Sequence, residues 1–392
     1  MGACIHTCES VPLYVKFMRK RYVRLCVYFS LLVTVLPTLH VLSNILYDRQ
    51  AVRSSITCLG KNCHVENACI DLKGHLVIFD STREAKRLRE KILSIPLRRR
   101  SQLRLLGEVS SALLPLSQFS GSALIIDRYV DDNCGHILGD EAWPAMRLAL
   151  QFFNMQHIRT HGIGDVYIIR SREQTCDEIF EALTGSVNTL GQMKTRSCYR
   201  NVLLGMDGLS YADGYDASVQ PYLTSPRFTA EMQNFRSLFY KHAKISEDRS
   251  ASTILLMHKK FGSHMVNIYN RNEIHSLVSS EFPELKVVEA SWSDHTVREQ
   301  VQIVSDAKVM ISLPGSDIMN AIFLRDNSRL LIYCRFVDGK LEASNEQALW
   351  FEHLHYIQTE ARCSDQDVRR MDSQYVWVNT TAIRDILQNM GS

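Results

Sequence analysis

The chain predicts an α/β fold of two Rossmann-like domains facing a cleft, carried behind an N-terminal transmembrane helix. Three observations lead there. Short apolar runs alternate with helix-period segments through both halves of the 392 residues, the pattern of parallel sheets covered by helices. From Leu25 to Tyr47 no residue is charged, about the length that spans a bilayer's hydrocarbon core. Third, Glu299 to Asn320 reads helix (Val301, Ile303, Val304, Ala307), apolar strand (Val309, Met310, Ile311), glycine turn (Leu313-Pro314-Gly315-Ser316), helix. In doubly wound folds such a turn lies at the carboxyl end of a strand, where backbone can approach a phosphate-bearing ligand. Gly315 and Ser316 are therefore candidates for contact with a nucleotide or sugar nucleotide.

The N-terminus sets the predicted topology. Lys16, Arg19, Lys20, Arg21 and Arg24 precede the apolar span, and the positive-inside bias places them in the cytosol. The reading is a cytosolic tail (residues 1–24), an uncleaved signal anchor (25–47), a short stem (48–56) and a luminal body. Gly2 is not a myristoylation signal, because His6 stands where Ser or Thr is needed. Of eleven cysteines, eight lie beyond the span: Cys58, Cys63, Cys69, Cys134, Cys176, Cys198, Cys334 and Cys363. An even number in an oxidising lumen suits disulfides, although spacing does not reveal the pairing. Cys58, Cys63, His64 and Cys69 fit no common zinc spacing. Asn379-Thr380-Thr381 is a glycosylation sequon, in agreement with a luminal body.

The elements follow in order. A cysteine-rich opening leads to a strand at Leu76 to Phe79 and a charged helix from about Thr82 to Leu93. Lys86 to Arg104 is a basic run, read as a polyanion patch or a solvated helix face. The next strand is Ala123 to Asp127; Asn133 to Phe153 is a loop feeding a helix. Strands at Val166 to Ile169 and Val202 to Leu204 precede a long Gly/Asp/Tyr/Ser/Pro loop, Gly205 to Pro226. A helix from about Phe228 to His242 closes the first half. The polar stretch 244–252 reads as a linker. Beyond it come the strand Thr253 to Met257, the helix Asn272 to Phe282, the strands Lys286 to Glu289 and Leu330 to Tyr333, and a helix from about Ala348. Val376 to Met390 reads as a helix packing back on the first domain.

The chemistry-bearing residues are few. His136 and Asp140 are four apart at a helix start, so they share a face. A carboxylate there can orient an imidazole and raise its basicity. His136 is then a base with Asp140 as orienter, or Asp140 or Glu141 is the base itself. The plainer reading is a helix N-terminus whose acids complement the dipole. Lys259 and Lys260 end a strand and can meet a diphosphate as point charges, or are simply solvated. Asn320 is a nucleotide contact or a packed helix residue. Glu299 and Gln300 cap or position the helix before the turn. Asp365-Gln366-Asp367 is the one Asp-x-Asp triplet, in a polar tail segment, and reads as surface. No P-loop, Gly-x-Gly-x-x-Gly, Gly-x-Ser-x-Gly or His-Glu-x-x-His occurs. A net charge of +3 carries no nucleic-acid signal.

Several blocks, in order across about residues 57 to 360, resemble glycosyltransferase family 61. They are Cys63-His64-x-Glu66-Asn67-x-Cys69; Asn133-x-x-His136-x-x-x-Asp140; Val202-Leu203-Leu204-Gly205-x-x-Gly208-Leu209-Ser210; Ile268-Tyr269-Asn270 with Glu273-Ile274; and the Glu299–Asn320 segment. The resemblance implies a GT-B-like arrangement. Residues 57–243 would form an acceptor-side domain, 253–360 a donor-binding domain, and 361–392 a C-terminal segment. It implies inverting, metal-independent transfer from a UDP-sugar to a glycan or protein hydroxyl, with no cofactor beyond that donor. The enzyme would sit in the Golgi or endoplasmic reticulum membrane. Lys259, Lys260, Asn270, Gly315, Ser316 and Asn320 would face the donor, and His136, Asp140 and Glu141 the chemistry. Three positions depart from the family pattern. Pro314 stands where a histidine is usual, Val266 and Asn267 where an arginine pair is usual, and Tyr333 where an acid is usual. The alternative reading is a catalytically silent luminal protein, glycan-binding or scaffold, that keeps the fold.

Overall fold

The computed structural model describes residues 53–59, 62–72, 75–79, 108–110, 114, 116–128, 133–169, 176–184, 186–189, 195–205, 220–247, 249–259, 266–337, 340–342, 351–372 and 374–390. The predicted anchor, the charged helix near 82–93, the basic run 86–104, most of the loop after Gly205, Lys260 and the start of the helix near Ala348 lie outside these residues. Among the described residues no helix is long and apolar enough to cross a membrane.

The chain is a mixed α/β protein built on two main sheets. The first uses β1 (Ser55–Leu59), β2 (Asn62–Ile70), β3 (Leu76–Phe79), β4 (Glu108–Ser110), β5 (Ser122–Asp127), β6 (Asp165–Ile169), β7 (Val187–Thr189) and β8 (Ser197–Leu204). Its order is β4-β3-β2-β8-β5-β6-β7, with β1 paired to β2. The β8-β5-β6-β7 side is parallel, while β1, β3 and β8 run antiparallel to β2. The cysteine-rich opening is thus a long strand inside the sheet. Cys58 lies opposite Cys63 and Cys69 opposite Cys198 in register, and both pairs are disulfides.

The second sheet uses β9 (Thr253–Met257), β11 (Lys286–Ala290), β12 (Ala307–Ser312), β13 (Arg329–Tyr333) and β16 (Gln358–Arg362). It is parallel throughout, in the order β11-β9-β12-β13-β16. The interior strands are apolar on both faces: Ile254 to Leu256, Val309 to Ile311 and Leu330 to Leu331 are all buried. That is what a parallel strand covered by helices on both sides requires. A smaller sheet joins β10 (Asn267–Ile268), β17 (Val368–Arg370) and β18 (Tyr375–Val378) in the order β10-β18-β17. A short hairpin pairs β14 (Arg335–Val337) with β15 (Lys340–Glu342).

One apolar core runs through both main sheets. Leu124, Val166 and Leu203 of the first share a cluster with Leu255, Met310 and Leu330 of the second. The helix Pro226–Ala243 lies within it, presenting Phe228, Phe235 and Phe239. Ser225 caps this helix, Pro226 occupies its first turn, and Lys244 closes it at φ 59°, a left-handed cap that glycine usually supplies. Arg236 donates to the Leu324 carbonyl and Tyr240 to the Phe323 carbonyl, both at 2.6 Å. The 244–252 stretch read as a linker is anchored as well: Arg325 donates to the Glu247 carbonyl at 2.8 Å.

Two sequence readings need correction. Gln220–Leu223, placed in the long loop, is a helical turn. The C-terminal segment is β18 followed by the helix Thr380–Met390, and it does not return to the first sheet. Ile383, Ile386 and Leu387 pack with Ile274, Leu277 and Val278, and Arg384 pairs with Glu281 at 2.6 Å. The reason is that β18 adds in parallel to β10, which sets the following helix beside the one after β10.

Candidate active site

The site begins with a helix cap. Asn133 accepts from the His136 backbone N–H at 3.2 Å, so the Asn-x-x-His spacing is that of an N-cap and its third residue. The helix widens into a π-turn over Ile137–Ala142 before continuing as Trp143–Phe152. Such wide turns recur where a helix shapes a functional site. Within it Asp140 is fully buried, while the His136 side chain keeps about a quarter of its surface exposed. Asp140 Oδ2 lies 2.7 Å from His136 Nδ1. A carboxylate can only accept, so Nδ1 is the donor in this contact and Nε2 is the ring nitrogen turned away from Asp140.

Glu141 points elsewhere. It is buried, and its Oε2 lies 3.5 Å from Arg128 Nε. Arg128 also meets Asp177 at 2.7 Å. Glu141 therefore belongs to a buried ion cluster with Arg128 and Asp177. Three consecutive residues anchor this region. Cys176 forms a disulfide with Cys134, Asp177 holds Arg128, and Glu178 accepts from the Val297 N–H at 3.0 Å. The start of the His136 helix is thus tied covalently to a segment that also grips the second half of the chain.

The glycine turn after β12 supplies the opposite wall. Gly135 is packed so closely on the turn that a Cβ there would overlap the Ser316 carbonyl oxygen. Gly139 similarly lies against the Met319 thioether. At Gly315 the backbone has φ +154°, and a Cβ would run into Lys259 Nζ. Lys259 Nζ also lies 3.5 Å from Asp317 Oδ2. The Lys259 backbone is fixed by Asn267, which accepts from its N–H at 2.7 Å and donates to its carbonyl at 3.1 Å. Gly135, Gly315, Ser316 and Lys259 therefore meet at one turn, and His136 follows Gly135 in the chain. Pro314 is buried in that turn.

The other predicted residues are placed differently. Asn270 is buried, with its carboxamide shared between Glu273 and the backbone of Val378, so it staples β10 to β18. Asn320 is 2% exposed on the helical turn Ser316–Phe323, and its Nδ2 has no partner among the described residues. Tyr333 is buried and donates to the Asn379 carbonyl at 2.9 Å; burial pushes its phenol up. Glu299 forms a capping box with Thr296, whose hydrogen bonds hold its carboxyl below the usual range, and Gln300 holds the Trp292 and His295 carbonyls. The capping and positioning role read for that pair is what the structure shows. Asp367 closes a local turn on Ser364 at the surface. Among the described residues no His, Cys, Asp and Glu side chains group as metal ligands.

Sequence reasoning missed Gly135, the Cys134–Cys176 pairing, Asp317, and the Arg128–Asp177–Glu178 support. Gly135 carried a signal, a small residue beside a candidate base. Glu178 carried none, because its partner lies 119 residues away.

Comparison with known proteins gives consistent matches. The family model for glycosyltransferase 61 matches residues 140–331. The chain is 23% identical over 215 residues to protein O-linked-mannose beta-1,4-N-acetylglucosaminyltransferase 2 of Homo sapiens and of Mus musculus, and 22% identical to that of Xenopus tropicalis. Each match covers 52% of this chain and 35% of the relative. The chain thus spans about a third of the length of the curated relatives it matches.

Proposed function

We propose that the chain is a divergent member of glycosyltransferase family 61, whose model matches residues 140–331, and that it transfers a sugar from a UDP-sugar to a hydroxyl of a glycan or protein. The observation that carries this reading is the seating of the His136 helix on the Gly315–Ser316 turn, with Lys259 above Gly315. It supports a reading in which a base stands beside a place for a diphosphate.

His136 Nε2 takes the proton of the acceptor hydroxyl, and Asp140 stabilises the imidazolium that forms. The acceptor oxygen attacks the anomeric carbon from the face opposite the diphosphate, so configuration inverts. Charge builds on the departing diphosphate. Lys259 and the helix start at Ser316 would meet that charge. In this reading Lys259 replaces the family's missing cations: the histidine position is Pro314, and the arginine positions are Val266 and Asn267. Asn320 Nδ2, without a partner among the described residues, would reach a nucleotide from the same helical turn. The diphosphate is neutralised by protein groups alone, without a metal ion.

The two sheets would then form the GT-B-like pair, with residues 57–243 on the acceptor side and 253–360 on the donor side. Residues 25–47 would anchor the protein with its body in the Golgi or endoplasmic reticulum lumen. The four disulfides, which use all eight cysteines beyond that span, support an oxidising compartment.

The test is a transfer assay of the full-length chain, in detergent, across UDP-sugars with O-mannosyl peptides and free glycans as acceptors. Turnover that persists in EDTA is expected. Binding of UDP-sugars without transfer to any acceptor would favour the silent, glycan-binding alternative. Activity lost in EDTA and restored by manganese would overturn the metal-free step.

A further inference from the structure

We propose that Asn379 carries an N-linked glycan whose first sugar ring packs on the Trp377 indole. The proposal rests on the luminal placement above and not on the transfer reaction.

Four observations support it. First, the sequence Trp377-Val378-Asn379-Thr380-Thr381 places an aromatic residue two positions before a sequon. Residues two apart on a strand share a face. Val376 and Val378 are buried, and Tyr375 and Trp377 face outward. Asn379 continues the ladder by donating to the Asp367 carbonyl at 2.9 Å, so it shares the outward face with Trp377. Second, the acceptor side of the Asn379 amide is already engaged. Oδ1 accepts from the Thr381 N–H at 2.9 Å, and the backbone carbonyl accepts from Tyr333. Nδ2, the atom that would be glycosylated, has no partner among the described residues. Third, Trp377 is held in place. Arg369 lies opposite it in register, with its guanidinium carbon 5.1 Å from the ring. Fourth, the same face exposes further aromatic surface. Tyr269 is 59% exposed, and its ring stands 6.2 Å from that of Tyr375.

The chemistry balances without a redox step. A lipid-linked oligosaccharide diphosphate, the co-substrate of N-glycosylation, gives up its anomeric carbon. The bond from that carbon to the lipid diphosphate breaks, the bond to Nδ2 forms, and one amide proton leaves. A pyranose ring presents C–H bonds on its faces, and these pack on an aromatic π-face. The ring would cover apolar surface that otherwise meets water, so the glycan stabilises the strand and the helix cap behind it.

The experiment uses the full chain made in cells with a secretory pathway. A non-reducing peptide digest is read by mass spectrometry with and without glycan removal. The expected result is an occupied Asn379 together with the four disulfides. Intact disulfides with a bare Asn379 would overturn the proposal and leave the luminal placement standing; free thiols with a bare Asn379 would overturn both. Thr381→Val removes the sequon and keeps the backbone N–H that Asn379 caps. It is expected to lower Tm by about 2–4 °C, and the drop is expected to vanish in a Trp377→Ala background. An equal drop in both backgrounds would contradict packing on Trp377. If Asn379 is bare and Trp377→Phe weakens acceptor binding, the aromatic face serves a glycan substrate and the proposal fails.

Discussion

The His136 helix and the Gly315–Ser316 turn meet at one place, yet they are held by different means. The helix is organised locally. Asn133 caps it, Asp140 orients His136 from four residues on, and a disulfide fixes its first residue. The turn depends on distant partners: Lys259 from the end of β9, Gly135 from the first half, and Trp292, which donates to the Asp317 carbonyl at 3.0 Å. The comparison teaches that the proposed base is assembled by short-range spacing and the proposed diphosphate site by tertiary packing.

The comparison can be broken first at the disulfide. Replacing Cys134 and Cys176 by Ser is expected to cost about 2–5 kcal/mol of stability and to lower the transfer rate of the protein that remains folded. The same replacement at Cys334 and Cys363 is expected to cost stability but to leave that rate unchanged. Denaturant melts paired with rate measurements check both, and equal rate losses would remove the special role of the first bridge.

A second test probes the helix that links the two halves. Glu231 accepts from Arg147 at 2.6 Å, Arg227 at 2.7 Å and Tyr222 at 2.6 Å. Burial pushes its carboxyl up, but the Tyr222 hydrogen bond and the two guanidiniums outweigh this and hold it below the ordinary range. A depressed carboxylate contributes stability above its unfolded pKa, and that contribution is lost as pH falls through the folded value. Glu231→Gln is therefore expected to lose about 1.5–3 kcal/mol near neutral pH. The gap from wild type should close below about pH 4. Thermal melts from pH 7 to pH 3 read this directly, and a gap that widens in acid would reverse the assignment.

The smallest effect in stability is expected at the contact itself. Gly135→Ala places a methyl group against the Ser316 carbonyl and should cost about 1–3 kcal/mol. Its signature is functional: weaker UDP binding from a change in the half that bears the base. Calorimetric titration with UDP measures it, and unchanged affinity would mean that the turn does not depend on this seating.

Much of this was legible in the sequence, for reasons that differ by region. The strands β9, β12 and β13 were plain because strands buried on both faces are continuously apolar. The His136–Asp140 pair was plain because helical spacing is local. The Ser316–Phe323 turn was read as helix, and it is a tighter 3-10 segment. The C-terminal segment was misplaced because strand addition of β18 to β10 spans more than a hundred residues. Asn270 was read as a donor contact, and its carboxamide bonds to Glu273 and to the Val378 backbone. Lys259 was a candidate by position alone; its approach to Gly315 depends on how β9 and β12 sit side by side, which no local pattern encodes.

The central claim is that base and diphosphate site belong to one centre with separable duties. Full-length protein carrying His136→Ala or Lys259→Met, compared with wild type for UDP affinity and for transfer rate, tests it most directly. The account predicts that His136→Ala binds UDP as wild type does and transfers about 10²- to 10⁴-fold more slowly, whereas Lys259→Met loses UDP affinity itself. A His136→Ala protein that transfers at the wild-type rate, or a Lys259→Met protein that binds UDP unchanged, would contradict it.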